Sequence, residues 1–442
     1  MAALGAPPGP GGYPILGVFP RVRRDPLGFF TECVRRHGDV VAMRLGPHRA
    51  VLLRHPDHVK HVLQDKASAY EKRPTAARVR TLFGKSLTVV DGDPWRHRRR
   101  QIAPAFQPGH HADFAPVVSR AVAELLDRWR LRAEPVELVS EMRRLTQAII
   151  IRACFGDVSV EEIEMLGPAL DSAVARVERR LWSPFGWLKF SSPGRARGHR
   201  GLMRLESFIF RRTAEARRAG PPSGTLLSSL LHAFPADPLG EAELHEELKA
   251  FLFAGHTTTA SALAWTWHVL SQHPKALEQI EGECEAALGG RTPLLEDLPA
   301  LGYSRRVIEE VLRLFPPTWL TARAPLGDDT LDGYVIRPGE LILLSPYLTH
   351  RHPAIWEHPE RFDPDRFGSA RAAGRHAFAY FPFGGGPRRC IGSGFAIVEM
   401  QMIVATVAQR CRLVVIPGAR VVPIAGLTLR PGPVLPARVL RR

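Results

Sequence analysis

Lysine is nearly absent from this chain. Lys60, Lys66, Lys72, Lys85, Lys189, Lys249 and Lys275 are the only lysines in 442 residues, so the 60 basic side chains are almost all arginine. Cysteine is scarce as well. Cys33, Cys154, Cys284, Cys390 and Cys411 are odd in number, and no two have the short spacing of a zinc site. A disulfide framework is not expected in a chain this long and cysteine-poor, and a reducing, cytoplasmic compartment is expected. No run of about 20 apolar residues occurs, which argues against a spanning helix or membrane anchor. The first residues, MAALGAPPGP, lack a basic segment followed by an apolar one, so no signal peptide is expected. Nothing in the middle of the chain has the composition of a flexible linker, and no internal repeat is found. A single domain over residues 1–442 is therefore expected, with 1–20 as a Pro/Gly-rich lead-in.

The formal charge of +16 is consistent with nucleic-acid binding, with an anionic protein partner, or with arginines spread over solvated faces. The first is set aside because the chain has no helix-turn-helix, zinc or aromatic–basic module. The densest basic run is residues 96–100.

Apolar residues recurring at helical spacing dominate the chain from about residue 95 to 290. Helices are expected over 113–132, 137–155, 161–180 and 201–219, with a loop over 181–200. A long helix over 240–272 is apolar or small on nearly every face at its centre, the pattern of a helix buried all round. Another helix, 303–315, is stopped by Pro316-Pro317. Strands are expected in 39–54 around a Gly-Pro turn, in the turn-rich region after Leu331, and over 412–416 and 425–430. The fold class is mainly α with a small β portion.

One cysteine stands apart. Residues 381–400 read FPFGGGPRRCIGSGFAIVEM, a glycine-rich loop that enters a helix just after Cys390. Gly384, Gly385 and Gly386 permit torsions that other residues resist, and such a loop lets the chain approach a flat cofactor closely. The helix dipole, Arg388 and Arg389 all favour thiolate over thiol. Free N–H groups at the helix start could tune a metal bound to the sulfur. An isolated cysteine in such a loop is more often structural; the whole string decides otherwise.

That string resembles the haem-binding signature of the cytochrome P450 family, through Phe383, Gly386, Arg388, Cys390 and Gly392, followed by Ala396 and Glu399. Other segments agree in order. Glu310 and Arg313, in IEEVLRLFPP, resemble the family's Glu-x-x-Arg pair and share one helical face. Arg366, in the second copy of PERFDPDRF, is the choice for the arginine completing that structural triad, with Arg361 as runner-up. AGHTTT (254–259) resembles the oxygen-binding segment of the central helix. There Ala254 and Gly255 would leave room for a haem face. The Thr258 hydroxyl would bond back to the Ala254 carbonyl, opening the helix locally. The acid usual before this threonine is replaced by Thr257, which leaves the proton route open; water ordered by Thr257, Thr258 and His256, or a substrate carboxylate, could substitute.

The resemblance implies further roles. The fold would hold haem b between the long central helix and the helix of the cysteine loop, with Cys390 as metal ligand. Trp95 and Arg99, Arg323 and Arg388 would contact the propionates, with Phe383, Gly386 and Ala254 also at the cofactor and Thr258 and Thr257 catalytic. Substrate contacts are expected from Val79, Leu82, Phe83 and Leu87, from Leu252 on the central helix, and from Thr318, Trp319 and Leu320. These mainly apolar residues suit a terpenoid, steroid-like or fatty-acyl molecule. The reaction implied is insertion of one atom of dioxygen, as hydroxylation or epoxidation. No reductase segment is fused to the chain. Electrons would come from a separate acidic ferredoxin or flavodoxin, docked in part on residues 96–100 and Arg389, to a monomer. The alternative is a haem-thiolate peroxygenase or isomerase that needs no external electrons.

Overall fold

A computed structural model describes residues 5–72, 79–80, 82–181 and 193–442. Among them the longer helices are α1 (Pro26–His37), α2 (Gly92–Ile102), α3 (His111–Arg130), α4 (Leu138–Phe155), α5 (Val160–Leu181), α6 (Pro193–Ala219), α7 (Leu226–Ala233), α8 (Pro238–Gln272), α9 (Pro274–Leu288), α10 (Gly302–Leu314) and α11 (Ser393–Arg410). The strands are β1 (Val40–Leu45), β2 (His48–Leu53), β3 (Tyr70–Glu71), β4 (Val136–Glu137), β5 (Thr321–Pro325), β6 (Asp329–Leu331), β7 (Tyr334–Ile336), β8 (Leu341–Leu344), β9 (Cys411–Val415), β10 (Val422–Ala425), β11 (Leu429–Gly432) and β12 (Pro436–Arg441). The largest sheet runs β1-β2-β8-β5-β3, with β2 and β8 parallel and its other pairs antiparallel. The fold is mainly α with a small β portion.

Two sequence expectations change. Residues 193–200 are helical rather than loop, because Pro193 starts α6 where proline's missing N–H does no harm; 182–192 of that expected loop lie outside the described residues. The strand expected over 425–430 is a hairpin instead: β10 ends at Ala425, residues 426–428 turn, and β11 begins at Leu429. At that turn a Cβ on Gly426 would lie 2.3 Å from Glu178 Oε1.

The central helix α8 organises the rest. Asp237 caps it by accepting from Gly240 N at 2.8 Å, and Pro238 sits at its first turn. α8 packs lengthwise against α4, where Thr146 Oγ1 donates to His256 O at 2.9 Å. Gly255 is needed at this crossing, since a Cβ there would meet Ile150 Cγ1 at 2.7 Å. Its missing side chain thus admits α4 and not the cofactor, contrary to the sequence expectation. Among the described residues, no helix is long and apolar enough to cross a membrane.

Candidate haem and substrate site

The cysteine loop is braced from behind. Cys390 N donates to Phe383 O at 2.9 Å, closing the loop on itself. Gly386 has φ +63°, and a Cβ on it would fall 1.7 Å from Leu63 O. The room at Gly386 is therefore taken by backbone and does not open toward a cofactor. α11 starts at Ser393, with Gly392 at its N-cap position. Burial pushes the Cys390 thiol above its usual value; the Gly392 N–H, Arg99, Arg389 and Lys72 pull it back in part. Arg389 and Arg99 act on the sulfur, whereas the Arg388 expected beside them faces elsewhere. Burial outweighs these positive surroundings, and a cation bonded to the sulfur would reverse that balance.

Behind the loop lies a buried ion-pair core. Glu310 and Arg313 have fully buried side chains and meet in two hydrogen bonds of 2.7 and 2.8 Å. Arg313 also donates to the carbonyls of His350, Pro359 and Arg361. Arg366 Nε lies 3.5 Å from Glu310 Oε1, while Arg361 contributes only its carbonyl. His350, which no sequence motif marks, links this core to the loop. Its Nε2 accepts from Phe381 N at 2.9 Å, so Nδ1 carries the proton and donates to Arg313 O at 3.2 Å. Burial and the Arg313 charge hold this imidazole neutral.

On α8, residues 250, 253, 254, 257 and 258 line one cavity of about 520 Å³, at the spacing of a single helical face. Ala254 is exposed in a stretch of α8 that is otherwise largely buried. Thr258 Oγ1 donates to Ala254 O at 2.7 Å, as expected, yet the helix is continuous through this point. Thr257 lines the cavity; His256 does not. His256 is fully buried, donates through Nδ1 to Leu252 O at 2.7 Å, and burial lowers its pKa to about 4. It plays no part in ordering water at Thr258.

The expected substrate contacts divide. Val79, Leu82, Phe83, Thr318, Trp319 and Leu320 line the cavity. Leu87 and Leu252 do not: both are core, and Leu87 N is bound to Glu247 Oε1 at 2.7 Å. Phe253 takes the place assigned to Leu252, because the helical stripe passes through 253. Val174, Val177, Leu427 and Thr428 also form walls, and only chain folding brings them there.

A cluster of buried cations borders the same cavity. Arg323 is buried, and desolvation with the Arg388 charge lowers its pKa to about 10. Lys72, a cavity-wall residue missed by the motif comparison, is lowered to about 7 by burial, then by Arg323 and Arg388. Arg388 bonds Val90 O and Asp91 and lies 4.4 Å over the Trp95 ring. The carboxylate that acts on all three cations is Asp91. Among the described residues this cluster carries more positive than negative charge, which fits an anion with more than one carboxylate. Lys72 also joins the two halves of the site, since it lines the cavity and its charge acts on Cys390. A flat, dianionic cofactor bound through sulfur fits these residues, and haem, with two propionates, is such a group.

A loop cysteine, a helical threonine face and a cation cluster, linked through Lys72, define a haem-thiolate protein. The cytochrome P450 family profile matches residues 7–436, and the chain belongs to the cytochrome P450 family. It is 35% identical to cyclooctat-9-en-7-ol 5-monooxygenase of Streptomyces melanosporofaciens, over 92% of this chain and 90% of that one. It is 34% identical to cyclooctatin synthase of the same organism, over 96% and 93%. The solved haem domain of cytochrome P450DA superposes with a TM-score of 0.90 at 25% identity, covering 100% of this chain and 99% of that one. The chain is a P450 monooxygenase with a haem cofactor.

Proposed function

We propose that residues 1–442 act as one catalytic domain that hydroxylates or epoxidises a neutral terpenoid, using electrons from a separate acidic ferredoxin or flavodoxin. The observation that carries this reading is the cavity wall. Val79, Leu82, Phe83, Phe253, Leu320 and Leu427 make it apolar, and Lys72, which carries the charge among the described wall residues, belongs to the cation cluster around Asp91. Among the described residues a fatty-acyl carboxylate would meet no cation besides Lys72, whereas a neutral polycyclic skeleton meets matching surface. The names of the relatives support this choice, since they give a cyclooctatenol, cyclooctatin and, at 29% identity, pentalenene.

Haem, when bound, supplies the oxygen chemistry: two electrons and dioxygen yield one inserted oxygen atom and water, helped by the electron-rich thiolate. Cys390 holds the metal. Arg323, Lys72, Arg99 and Trp95 would hold the propionates, with Arg388 ordering Trp95 and Asp91. Thr258 keeps its proton on Ala254 O, so its remaining lone pairs would accept from a water in the cavity. Thr257 lines the cavity beside it and stands where the family carries an acid. Protons are passed there through hydroxyls and water rather than a carboxylate. For the redox partner, Arg96, His97, Arg100 and Arg389 are exposed, whereas Arg98 is buried between Glu243 and Glu247 and is removed from the docking face.

A spectral titration of purified holoenzyme with lipophilic ligands tests the reading. Neutral terpenoids should shift the iron from low to high spin, and Cys390→Ser should abolish the thiolate-type ferrous carbon monoxide band. Turnover should require reductase and ferredoxin, and Arg100→Glu with Arg389→Glu should slow reduction and weaken its salt dependence. Turnover with hydroperoxide but none with the electron-transfer proteins would replace this reading with a peroxygenase.

A further inference from the structure

We infer that Thr428 recognises a hydroxyl group already present on the substrate, and that Ser261 sets the direction of this hydrogen bond. The inference rests on the monooxygenase reading above and adds to it the polar anchor of the cavity. It starts from counting hydrogens. A hydroxyl has one hydrogen and two lone pairs. Ser261 Oγ lies 2.8 Å from Thr257 O, and a carbonyl oxygen cannot donate, so the Ser261 hydrogen is spent there. Thr428 Oγ1 lies 3.1 Å from the same Ser261 Oγ. Thr428 must therefore be the donor of this second bond. Its own hydrogen is then committed, and Oγ1 has only lone pairs left to offer.

Thr428 is a wall residue of the cavity, whereas Ser261 lies behind the wall, one turn beyond Thr257 on α8. The turn that carries Thr428 is held on each side. Trp319 Nε1 donates to Gly426 O at 3.0 Å, Leu427 N to Glu178 Oε1 at 2.8 Å, and Leu429 N to Pro317 O at 2.9 Å. Trp265 Nε1 closes the set by donating to Leu429 O at 3.1 Å. An acceptor fixed in this way is ordered before the substrate arrives, so little ordering cost opposes the bond. The neighbours of Thr428 in the wall, Leu427 and Trp319, are apolar in the surface they present.

A fixed acceptor without a donor discriminates by chemistry. An alcohol donates its O–H to Thr428 Oγ1. A ketone of the same skeleton turns lone pairs toward lone pairs and gains nothing. A hydrocarbon leaves the acceptor dry. The substrate class is thus a neutral terpenoid alcohol, and an alcohol-forming reaction must supply it. The anchoring hydroxyl is retained. Insertion of one oxygen atom into a C–H bond, with the second leaving as water at the expense of two electrons and two protons, converts the monoalcohol to a diol.

The test uses holoenzyme and three ligands of one skeleton: cyclododecanol, cyclododecanone and cyclododecane, titrated by spin-state shift and by calorimetry. Wild type should bind the alcohol about tenfold more tightly than the ketone, the effect of one neutral hydrogen bond. Thr428→Val keeps the shape and should bring the alcohol down to the ketone. Ser261→Ala, which leaves every wall side chain in place, frees the Thr428 hydrogen and should raise ketone affinity until the preference disappears. Cyclododecane should bind all three proteins equally. An alcohol-to-ketone ratio near one in wild type, or a ratio unchanged by both substitutions, would overturn the inference. Loss of the thiolate-type carbon monoxide band in wild type would instead sink the haem-thiolate reading, so the two failures are told apart.

Discussion

Glu247 ties the stability of the fold to pH through a contact that also shapes the cavity. It lies on α8 with its side chain fully buried, and its Oε1 accepts from Leu87 N at 2.7 Å and from Arg98 Nη1 at 2.9 Å. Arg98 also reaches Glu243 at 2.6 Å and lies over the Phe234 ring. The adjacent Glu246 accepts from Lys85 N at 2.8 Å, so two consecutive carboxylates clamp the segment just after Leu82 and Phe83 to the central helix. Burial raises the Glu247 carboxyl from 4.5 to about 7, against the pull of Arg98. The sign follows. Between 4.5 and about 7 the folded chain holds a proton that the unfolded chain has lost, so rising pH favours unfolding in that window. At about 1.4 kcal/mol per pH unit the effect sums to about 3 kcal/mol. Glu247→Gln keeps an acceptor for Leu87 N and Arg98 but cannot titrate. In urea unfolding followed by tryptophan fluorescence, wild type should lose about 3 kcal/mol relative to Glu247→Gln as pH rises across this window, and nothing more above it. Parallel stability curves for the two proteins would refute the reasoning. Glu247→Ala leaves Leu87 N–H buried without its acceptor and Arg98 with Glu243 alone, and should lower stability by about 1–3 kcal/mol near neutral pH.

Three further predictions concern the haem end of the site. Lys72→Met removes a cation held at a pKa of about 7 by burial. It should speed haem loss to an acceptor apoprotein by about tenfold, one charge-assisted hydrogen bond to a propionate. Gly386→Ala places a Cβ at 1.7 Å from Leu63 O with φ at +63°, and should reduce stability by about 3 kcal/mol or more, read as a lower thermal midpoint. Glu310→Ala leaves Arg313 buried without its carboxylate, and should cost about 3–5 kcal/mol in urea unfolding of the holoenzyme.

The main chain pattern was legible because helix and strand periodicity are local. α3, α4 and α8 lie within two residues of the ranges read from apolar spacing. The motif segments were legible for a related reason: the residues of the cysteine loop are consecutive, and Glu310 and Arg313 lie one helical turn apart. What failed was direction. Arg98 and Arg100 are two residues apart in one basic run, but α2 turns the first into the core against Glu243 and Glu247 and leaves the second exposed. Leu252 and Phe253 are equally apolar, and only the rotation of α8 against α4 decides which of them faces the cavity.

By itself, then, the sequence determined the cysteine loop proposed to hold the metal, the helical frame around it and the class of chemistry, since each is written in neighbouring residues. The tertiary structure alone decided the shape and polarity of the cavity. Its walls come from residues more than 300 positions apart, such as Val79 and Thr428, and no local pattern carries that distance. It also decided which hydrogens are free. Ser261 and Thr428 are unremarkable as letters, and the chain of donors from Thr428 to Ser261 to the Thr257 carbonyl exists only because a β-turn is seated on the side of the central helix.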